Sequence, residues 1–449
     1  MKNDLSIIGS GLTGPLLSTI LAKQCNLHID MFERSDDSRI LNNFSGRSIN
    51  LALSKRGINA LKYAGVYNSD FESLLIPMYG RTIHLENREI TFQPYGNKSQ
   101  HYINSVSRSA INQMLINHAE KTENVKIHFN MKCDQIDLIN NKMRFGEKIL
   151  DIKSPVIGAD GYKSVVSKNI AEVHNDNLEY VNIEHSYKEL TINSKKNEYQ
   201  MEPNSLHIWP RRDMMMIALP NLDQSFTCTL FMKSNGENSF KEINSNKKLY
   251  EFFDKYFNDA LKLISNLEHD FFNNPTGKLV GVRASQWNYE DKALIVGDAA
   301  HATVPFYGQG MNGSFEDCYV LGKLMEENKN NWDNLFEEFQ LIRKKDADTI
   351  LNLSLDNYKV MRNDVLDDVH IKKQKLSFLL NNDFPDYFIP LYTMVSFTTI
   401  PYSIALERGK LQEIILDELI NNNLTNLEKY DKQKAEILIS KYLSKIKCN

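Results

Sequence analysis

Cysteine and net charge are both scarce in this sequence. Its five cysteines are scattered along 449 residues and never form a C-x-x-C pair: Cys25, Cys133, Cys228, Cys318 and Cys448. An odd, dispersed set argues against a disulfide framework and against a zinc site, so we predict a reducing, cytoplasmic compartment and no metal. The formal net charge of −4 does not suggest the strong basicity typical of proteins that bind nucleic acid or anionic membranes.

Long, uninterrupted apolar segments are also lacking. The N-terminus has little positive charge and only a short, strand-like apolar run, which does not predict a signal peptide. Residues 387–406 carry no charge, but they contain Pro390 and Pro401 and many hydroxyl groups. Because a lipid-facing helix would need its backbone satisfied through both prolines, we predict a buried, broken helical segment. The charged last forty residues are interpreted as a solvated helical tail.

The N-terminus carries a dinucleotide-binding fingerprint in the expected surroundings. An apolar strand at 5–8 runs into a G-x-G-x-x-G sequence, an apolar helix follows at about 15–23, and a second strand at 27–32 ends at Glu33. A glycine motif of this kind is weak alone, but strand, helix and terminal acid together predict dinucleotide binding. The three glycines are Gly9, Gly11 and Gly14.

Each residue of the fingerprint has a physical role. We expect Gly9 to make the tight turn, Gly11 to let a pyrophosphate approach the helix end, and Gly14 to pack helix against strand. Glu33 would accept a hydrogen bond from a ribose hydroxyl, which suits FAD or NAD and disfavours a 2′-phosphate.

The stretch 294–317 is a second candidate cofactor segment. A buried strand at 294–296 ends in Gly297 and Asp298, and a glycine-rich turn leads to a helix from about Met311. A carboxylate at a strand end can accept from hydroxyls, and a helix N-terminus can stabilise negative charge on a reduced flavin. An ordinary strand, loop and helix remains the alternative. The G-x-G-x-x-G at 308–313 follows a loop rather than a strand, so we do not interpret it as a second dinucleotide site.

Several polar residues outside these segments are further candidates. Asp160 and Gly161 end an apolar strand, and Arg108 begins a helix where it could reach a phosphate. Arg47 is a possible cofactor contact or a solvated charge, and Ser54 is a plausible N-cap for a helix at about 55–65. Arg81 lies on the first strand of a predicted hairpin, and if it points inward it needs a carboxylate that a substrate could provide.

Secondary structure changes along the second half of the chain. Residues 180–235 alternate apolar and polar positions and predict a β-sheet region, whereas residues 250–267 are predicted to be helical. After about residue 335 the pattern is helical to the end, with Asn357, Tyr358 and Met361 in one helix.

The glycine motifs, together with more specific stretches, resemble the single-component FAD-dependent aromatic hydroxylases, and among them the kynurenine 3-monooxygenases. The resemblance covers roughly residues 4–410, and its most specific stretches read MEPNSLHIWPR at 201–211 and FIPLYTMV at 388–395. It implies an α/β fold with α+β elements: a Rossmann-like FAD-binding domain interleaved with a β-sheet substrate domain, plus a C-terminal helical region. The implied FAD-binding domain is 1–74, 101–176 and 276–345, the sheet domain is 75–100 and 177–275, and the helical region is 346–449.

The resemblance also implies an activity. L-kynurenine would be hydroxylated at C3 to 3-hydroxykynurenine with NADPH and O2, through a flavin C4a-hydroperoxide, in tryptophan catabolism. The substrate would be held by Arg81, Tyr95, Asn357 and Tyr392, with Arg81 and Tyr95 positioning it. FAD would be bound by Gly9, Gly11, Gly14, Glu33, Arg34, Ala52, Arg108, Asp160, Asp298, Gly310, Met311 and Asn312. Membrane-bound animal relatives carry a C-terminal transmembrane helix, and residues 407–449 lack its length and polarity.

Two alternatives stay open at this level. A hydroxylase of the same architecture could act on another aromatic acid, and a flavoprotein could bind a partner and use its redox state only as a switch. His301 is either a proton relay beside the flavin or a structural residue. The chain is expected to be a monomer or a homodimer that binds neither nucleic acid nor membrane.

Overall fold

A computed structural model describes residues 3–40, 50–96, 99–362, 368–420 and 430–446. The Arg47 prediction and Cys448 lie outside these ranges. The described strands are β1 (Leu5–Ile8), β2 (Ile29–Phe32), β3 (Asn50–Leu53), β4 (Ile76–Met78), β5 (Gly80–His84), β6 (Ile90–Pro94), β7 (Ile103–Ser107), β8 (Val125–His128), β9 (Gln135–Asp137), β10 (Lys142–Phe145), β11 (Lys148–Asp151), β12 (Val156–Gly158), β13 (Glu179–Ile192), β14 (Leu206–Arg211), β15 (Met214–Pro220), β16 (Phe226–Lys233), β17 (Gly277–Arg283), β18 (Asn288–Tyr289) and β19 (Ala293–Ile295).

The described helices alternate with these strands and then dominate the last part of the chain. They are α1 (Thr13–Cys25), α2 (Lys55–Tyr63), α3 (Ser69–Glu72), α4 (Arg108–Glu120), α5 (Val165–Val173), α6 (Asn246–Tyr256), α7 (Asn258–Leu261), α8 (Leu267–Asn273), α9 (Asp298–His301), α10 (Gly310–Glu327), α11 (Leu335–Arg362), α12 (Asp368–Asp383), α13 (Leu391–Phe397), α14 (Tyr402–Ile420) and α15 (Lys432–Tyr442). The mixed α/β class and the helical C-terminal part predicted from the sequence are confirmed.

The chain divides into two compact units. Unit 1 comprises residues 1–75, 106–183 and 280–351, and unit 2 comprises 76–105, 184–279 and 352–449. Unit 1 contains a six-stranded sheet in the order β18-β19-β12-β1-β2-β8, in which all pairings except that of β18 are parallel. Its core is a single cluster of buried apolar side chains from this sheet and from helices α1, α4 and α10.

Four neighbouring parallel strands of unit 1 end at the same edge of the sheet. Gly158 at the end of β12 lies beside Ile8 of β1 on one side and beside Ile295 of β19 on the other, while Ile8 also pairs with Phe32 of β2. The residues that follow these strand ends therefore gather at one carboxyl edge, which is where open α/β sheets bind their ligands.

Unit 2 is built on a seven-stranded sheet in the order β17-β13-β16-β15-β14-β5-β6. Strands β5 and β6 form the antiparallel hairpin that the sequence predicts, with Arg81 opposite Gln93. One face of the sheet packs on helices α6, α7 and α8 around buried residues such as Trp209, Phe253 and Phe257. Strand β5 pairs with β14, so the hairpin is continuous with the rest of this sheet.

The helical structure expected at 250–267 is present, and it is divided among α6, α7 and the start of α8. The break falls at Phe257, whose backbone leaves the helical region at φ −138° and ψ 40°. Its side chain is fully buried in the unit 2 core. The spacing of apolar residues along the sequence does not predict this break, because a buried Phe257 fits a continuous helix equally well.

The uncharged segment 387–406 is a broken helical segment, as predicted. Pro390 is the N-cap residue of α13, and α14 begins directly after Pro401. Among the helices of the described ranges, none is long and apolar enough to cross a membrane.

The interpretation of the last forty residues as a solvated tail is wrong. Helix α15 buries Ala435, Leu438 and Ile439 against α12 and α14 in a separate apolar cluster of unit 2. The spacing of these three residues matches one face of a helix, so the same amphipathic pattern served packing rather than solvation.

Candidate functional site

The glycine turn after β1 has the shape that the fingerprint predicts. Gly9 has φ +104°, and a Cβ there would lie 2.5 Å from the Ala159 carbonyl oxygen. A Cβ at Gly14 would lie 2.0 Å from the Gly9 carbonyl oxygen, whereas a Cβ at Gly11 would meet no atom of the described residues within 4 Å. Two glycines are thus required by the protein itself, and the third leaves open space in which a ligand can approach the backbone.

Two side chains hold this turn in place. The backbone N–H of Ser10 donates to the Glu33 carboxylate at 2.7 Å. Asn112 on α4 donates from its amide to the carbonyl oxygens of Ser10 and Gly11, at 3.1 and 2.8 Å. Glu33 therefore lies at the turn, within the region where the adenosine half of FAD is expected, and Arg34 next to it is exposed. The contribution of Asn112 was not anticipated, because it lies about a hundred residues from the motif.

The carboxylate of Asp160 is only half satisfied. Its Oδ2 accepts from the backbone N–H of Val165 at 2.8 Å, while Oδ1 is buried and has no hydrogen-bond partner in the part of the chain that the structure describes. Burial raises the pKa of this carboxyl, despite opposing hydrogen bonds. A buried acceptor without a partner is costly, so Oδ1 fits a hydroxyl donor supplied by a ligand.

Gly297 and Asp298 form the end of β19. Gly297 has φ +58°, and a Cβ there would lie 2.9 Å from the hydroxyls of both Ser314 and Thr13. Asp298 is exposed, whereas its neighbours Gly297 and Ala299 are buried. Desolvation raises the pKa of Asp298, and the charge of Arg108 opposes that rise. Arg108 and Asp298, predicted separately, are therefore electrostatic neighbours.

Helix α10 presents an uncapped N-terminus. It begins at Gly310 after the 3-10 turn Pro305–Tyr307; its first turn contains no acid, and no side chain in the described part of the protein caps it. Helix α1 is uncapped and free of first-turn acids in the same way. Free N–H groups and the positive end of each helix dipole are thus left for anionic or electron-rich groups.

The side chain of Asn312, which was predicted to contact FAD, joins α10 to two other segments of the chain. Its Oδ1 accepts from the Ser54 N–H, and its Nδ2 donates to the carbonyl oxygens of Ala52 and Gly308, each at 2.8 Å. The Asn312 amide is therefore engaged with protein backbone on both its oxygen and its nitrogen. Ser54 occupies the N-cap position of α2 without a side-chain capping bond.

A buried ionic network holds the β19 turn against α10. Asp317 accepts from the Gly297 N–H at 2.9 Å, from Arg343 Nε at 2.8 Å and from His301 Nε2 at 2.5 Å. Burial alone would raise the pKa of Asp317, but His301 and Arg343 outweigh it and lower the pKa. His301 is buried and stacks on Trp287 at 5.1 Å, so the structure places it in a structural network. The sequence analysis missed Arg343, which is 26 residues from its partner.

A cationic and aromatic cluster lies in unit 2. The Arg81 guanidinium carbon is 4.7 Å from the ring centroid of Tyr392 and 5.6 Å from that of Tyr95. The two rings stack at 5.4 Å with an angle of 13°. Burial raises the pKa of Tyr95, Tyr392 raises it further, and the charge and hydrogen bond of Arg81 oppose the rise. Three residues predicted from distant parts of the sequence therefore meet.

Two aromatic residues extend this cluster, and neither was singled out from the sequence. Phe397 lies 6.3 Å from Tyr95 and 6.2 Å from Tyr392, and His101 stacks on Phe397 at 5.0 Å. Asn357 is half-buried on α11, and its place in a substrate pocket stays a prediction.

The site residues of unit 1 fit FAD. An open space beside Gly11, an unpartnered Asp160 oxygen, an accessible Asp298 and two uncapped helix ends occur in one unit. Such a set suits a diphosphate, ribityl hydroxyls and an electron-accepting ring.

Known proteins agree with this geometry. The family model described as an FAD binding domain matches residues 2–350. The chain is 38% identical to kynurenine 3-monooxygenase of Legionella pneumophila (strain Corby) over 451 residues, covering 98% of each chain. It is 39% identical to the Dictyostelium discoideum enzyme of that name, covering 99% of each, and 41% identical to that of Cytophaga hutchinsonii, covering 94% of each.

Solved structures share the fold at low sequence identity. PqsL of Pseudomonas aeruginosa, solved in complex with 2-aminobenzoylacetate, matches with a TM-score of 0.65 and 13% identity, covering 80% of this chain and 97% of that one. Tetrameric 2-methyl-3-hydroxypyridine-5-carboxylic acid oxygenase matches with a TM-score of 0.62 and 17% identity, covering 83% and 96%. The solved structures show the fold alone, whereas the relatives are similar over nearly the full length of the chain. The chain therefore belongs to the kynurenine 3-monooxygenase family of FAD-dependent flavoprotein monooxygenases.

Proposed function

We propose that this protein hydroxylates L-kynurenine at C3 of its ring, with NADPH as reductant and O2 as the oxygen source. The observation that carries the proposal is the meeting of Arg81, Tyr95 and Tyr392 in unit 2. The names of the full-length relatives supply the choice of amino acid.

Arg81 has the chemistry that an amino acid's carboxylate needs. A guanidinium can donate two parallel hydrogen bonds to a carboxylate, and it is always charged. Tyr95 keeps its proton because its pKa is raised, so its hydroxyl can donate to the same group. The rings of Tyr95 and Tyr392 stack on each other, and the Arg81 guanidinium lies over both. This arrangement would fix the head of the substrate and leave the aromatic ring to be oriented elsewhere.

The protein need not supply a strong base. When bound, FAD would accept hydride from NADPH and activate O2 at its C4a position, and the amino group on the kynurenine ring activates the ortho carbon. The residues of the chain would bind, orient and exclude water, which are the main contributions of proteins to cofactor chemistry. Glu33 disfavours a 2′-phosphate in the glycine cradle, so NADPH would bind transiently elsewhere.

The proposal includes a cytoplasmic location, where thiols stay reduced. The four cysteines in the described ranges are all free and buried: Cys25, Cys133, Cys228 and Cys318.

Purified protein loaded with FAD tests the proposal. We expect kynurenine to stimulate NADPH oxidation strongly and to yield a product one oxygen atom heavier, detected by mass spectrometry. A matched reaction with Arg81→Ala protein should show the same FAD content and little stimulation at low kynurenine concentration. Stimulation by a different aromatic acid and not by kynurenine would identify another substrate, and the absence of turnover with any aromatic compound would contradict the proposal.

A further inference from the structure

A buried chain of hydrogen bonds lies at the end of strand β5. His84 Nε2 lies 2.9 Å from His207 Nδ1, and His84 Nδ1 lies 3.1 Å from Asp259 Oδ2. Trp209 donates from Nε1 to the same Asp259 oxygen at 2.7 Å, and His84 stacks on the Trp209 ring at 4.1 Å. His207 Nε2 lies 2.8 Å from the Glu202 carbonyl oxygen. Both histidines are almost fully buried.

The hydrogen bond to Glu202 determines which ring nitrogen of His207 carries a hydrogen. A carbonyl oxygen only accepts, so His207 donates to Glu202 from Nε2. Burial lowers the pKa of His207 to about 4, so its ring is neutral at neutral pH and Nδ1 carries no hydrogen. The remaining partner of that nitrogen is His84, which must donate to it from Nε2.

The hydrogen bond to Asp259 determines whether Nδ1 of His84 carries a hydrogen. Burial alone would raise the pKa of Asp259, but hydrogen bonds from His84 and Trp209 outweigh it and lower the pKa to about 2. An ionised carboxylate only accepts, so His84 must donate to it from Nδ1. The three hydrogen bonds that join Glu202, His207, His84 and Asp259 therefore need three hydrogens on the four ring nitrogens, one more than two neutral imidazoles carry, and the geometry places the extra hydrogen on His84 beside Asp259.

The backbone of His84 is held to the same part of the chain. Arg211 donates from Nη1 to the His84 carbonyl oxygen at 2.8 Å and from Nε to the Tyr256 carbonyl oxygen. Glu86 and Asp259 are the acids that act on Arg211 electrostatically. The side chain of His84 thus joins the end of β5 to α7, and Arg211 joins the His84 backbone to the last residue of α6.

Strand alternation places this junction behind the candidate substrate cluster. Residues at odd positions of β5, Arg81 and Ile83, face one side, and His84 faces the other. The hairpin fixes Arg81 opposite Gln93, and β14 pairs with the other edge of β5. The position of the guanidinium therefore depends on how firmly this five-residue strand is held.

We propose that His84 is a positively charged positioning residue, which with Asp259 fixes strand β5 and thereby sets the Arg81 guanidinium for the substrate carboxylate. This inference rests on the proposed function for its substrate but not for the charge of His84.

Nuclear magnetic resonance of the ring nitrogens tests the charge directly. The FAD-loaded full-length protein would carry isotope-labelled histidine, with His84→Gln protein used to assign the His84 signals. We expect both His84 nitrogens to show the shifts of protonated nitrogen at neutral pH, and His207 to show one protonated and one bare nitrogen. A bare nitrogen on His84 would overturn the proposal.

Kinetics of Asp259→Asn protein test the positioning role. The substitution keeps the size of the side chain and removes the charge, and Asp254→Asn on an exposed position of α6 is the matched control. We expect the KM for kynurenine to rise about tenfold, as for a weakened charged hydrogen bond, with kcat and FAD content retained. The control should leave KM unchanged.

The outcomes separate the two proposals. An unchanged KM in Asp259→Asn protein whose His84 has lost its charge would overturn the positioning role. If the variant fails to fold, which thermal unfolding would reveal, the ring-nitrogen spectrum of the natural protein still decides whether His84 is charged. If the natural protein does not respond to kynurenine, the proposed function fails, whereas the spectrum tests His84 regardless.

Discussion

Arg81 is the residue on which substrate recognition depends most directly. Removing one partner of a desolvated, bidentate carboxylate contact costs about 2–5 kcal/mol, so Arg81→Ala should raise the KM for kynurenine at least about tenfold. Tyr95→Phe should give a smaller rise, because a single hydroxyl is removed. FAD content, measured from the flavin absorbance, should stay unchanged in both.

An exposed strand arginine offers the control for Arg81. Arg144 on β10 is exposed and belongs to unit 1, so Arg144→Ala should leave KM unchanged. An Arg81→Ala protein with natural kynurenine affinity would remove this residue from the site.

Asp298 is the corresponding residue for the cofactor. It is accessible and lies next to the charge of Arg108, at a strand end that only glycine can form without strain. Asp298→Ala should therefore purify with much less FAD, whereas Asp298→Asn should retain part of it because the amide oxygen still accepts. Equal flavin content in all three proteins would exclude Asp298 from the cofactor site.

At the scale of elements, the β19 turn and helix α10 depend on one buried carboxylate. Asp317→Asn would leave the buried Arg343 without its full countercharge, and breaking a buried pair costs about 3–5 kcal/mol. Since the pKa of Asp317 is lowered in the folded protein, its stabilisation is present at neutral pH and is lost as the pH falls through that lowered value.

Urea unfolding at neutral and acidic pH measures this effect. The difference in unfolding free energy between natural and Asp317→Asn protein should shrink as the pH falls. Asp348→Asn is the matched control, because Asp348 pairs with Lys344 at the surface and should change stability by less than about 1 kcal/mol. A difference that does not depend on pH would contradict the role of the Asp317 charge.

Helix α15 provides a test of packing at neighbouring positions. Leu438 is 6% exposed and Ile437 is 68% exposed. Leu438→Ala should lower the unfolding free energy by about 2–5 kcal/mol, whereas Ile437→Ala should change it by less than about 0.5 kcal/mol. Equal effects would mean that α15 does not pack as the structure shows.

At this scale the sequence predicted the features that depend on residues near each other in the chain, and it did not predict those that depend on distant residues. The fingerprint at Gly9 and the hairpin carrying Arg81 depend on neighbours within a few residues, and both are confirmed as local structure. Helix α15 was misinterpreted because an amphipathic pattern indicates that a helix has an apolar face, but it does not indicate which part of the protein packs against that face. The ion pair of Asp317 and Arg343 forms only when α10 and α11 pack together, and no local sequence pattern predicts that packing.

Two compact units organise the whole molecule, and the candidate residues divide between them. The predicted FAD-binding residues belong to unit 1, and Arg81, Tyr95, Asn357 and Tyr392 belong to unit 2. The division at about residues 75, 105, 183, 279 and 351 was not predictable to the residue, because strands β13 and β17 run across it. Sequence motifs mark strand ends and helix starts, but they carry no signal for such a boundary.

This division predicts separable responses to ligand. FAD at a hundredfold excess over its Kd should stabilise the natural protein by about 2.7 kcal/mol, seen as a higher unfolding temperature. Arg81→Ala protein should keep this response, and Asp298→Ala protein should lose most of it. Loss of the FAD response in Arg81→Ala protein would show that the two sets of residues are not independent.

The strand order β19-β12-β1-β2 at the proposed cofactor edge has a consequence for when FAD can bind during synthesis of the protein. The strands that meet there come from the beginning, the middle and the later part of the chain, and the Arg343 anchor comes later still. A growing chain that has not reached Arg343 would lack the anchor of the β19 turn, so we expect FAD to be bound only after about three quarters of the chain has been synthesised.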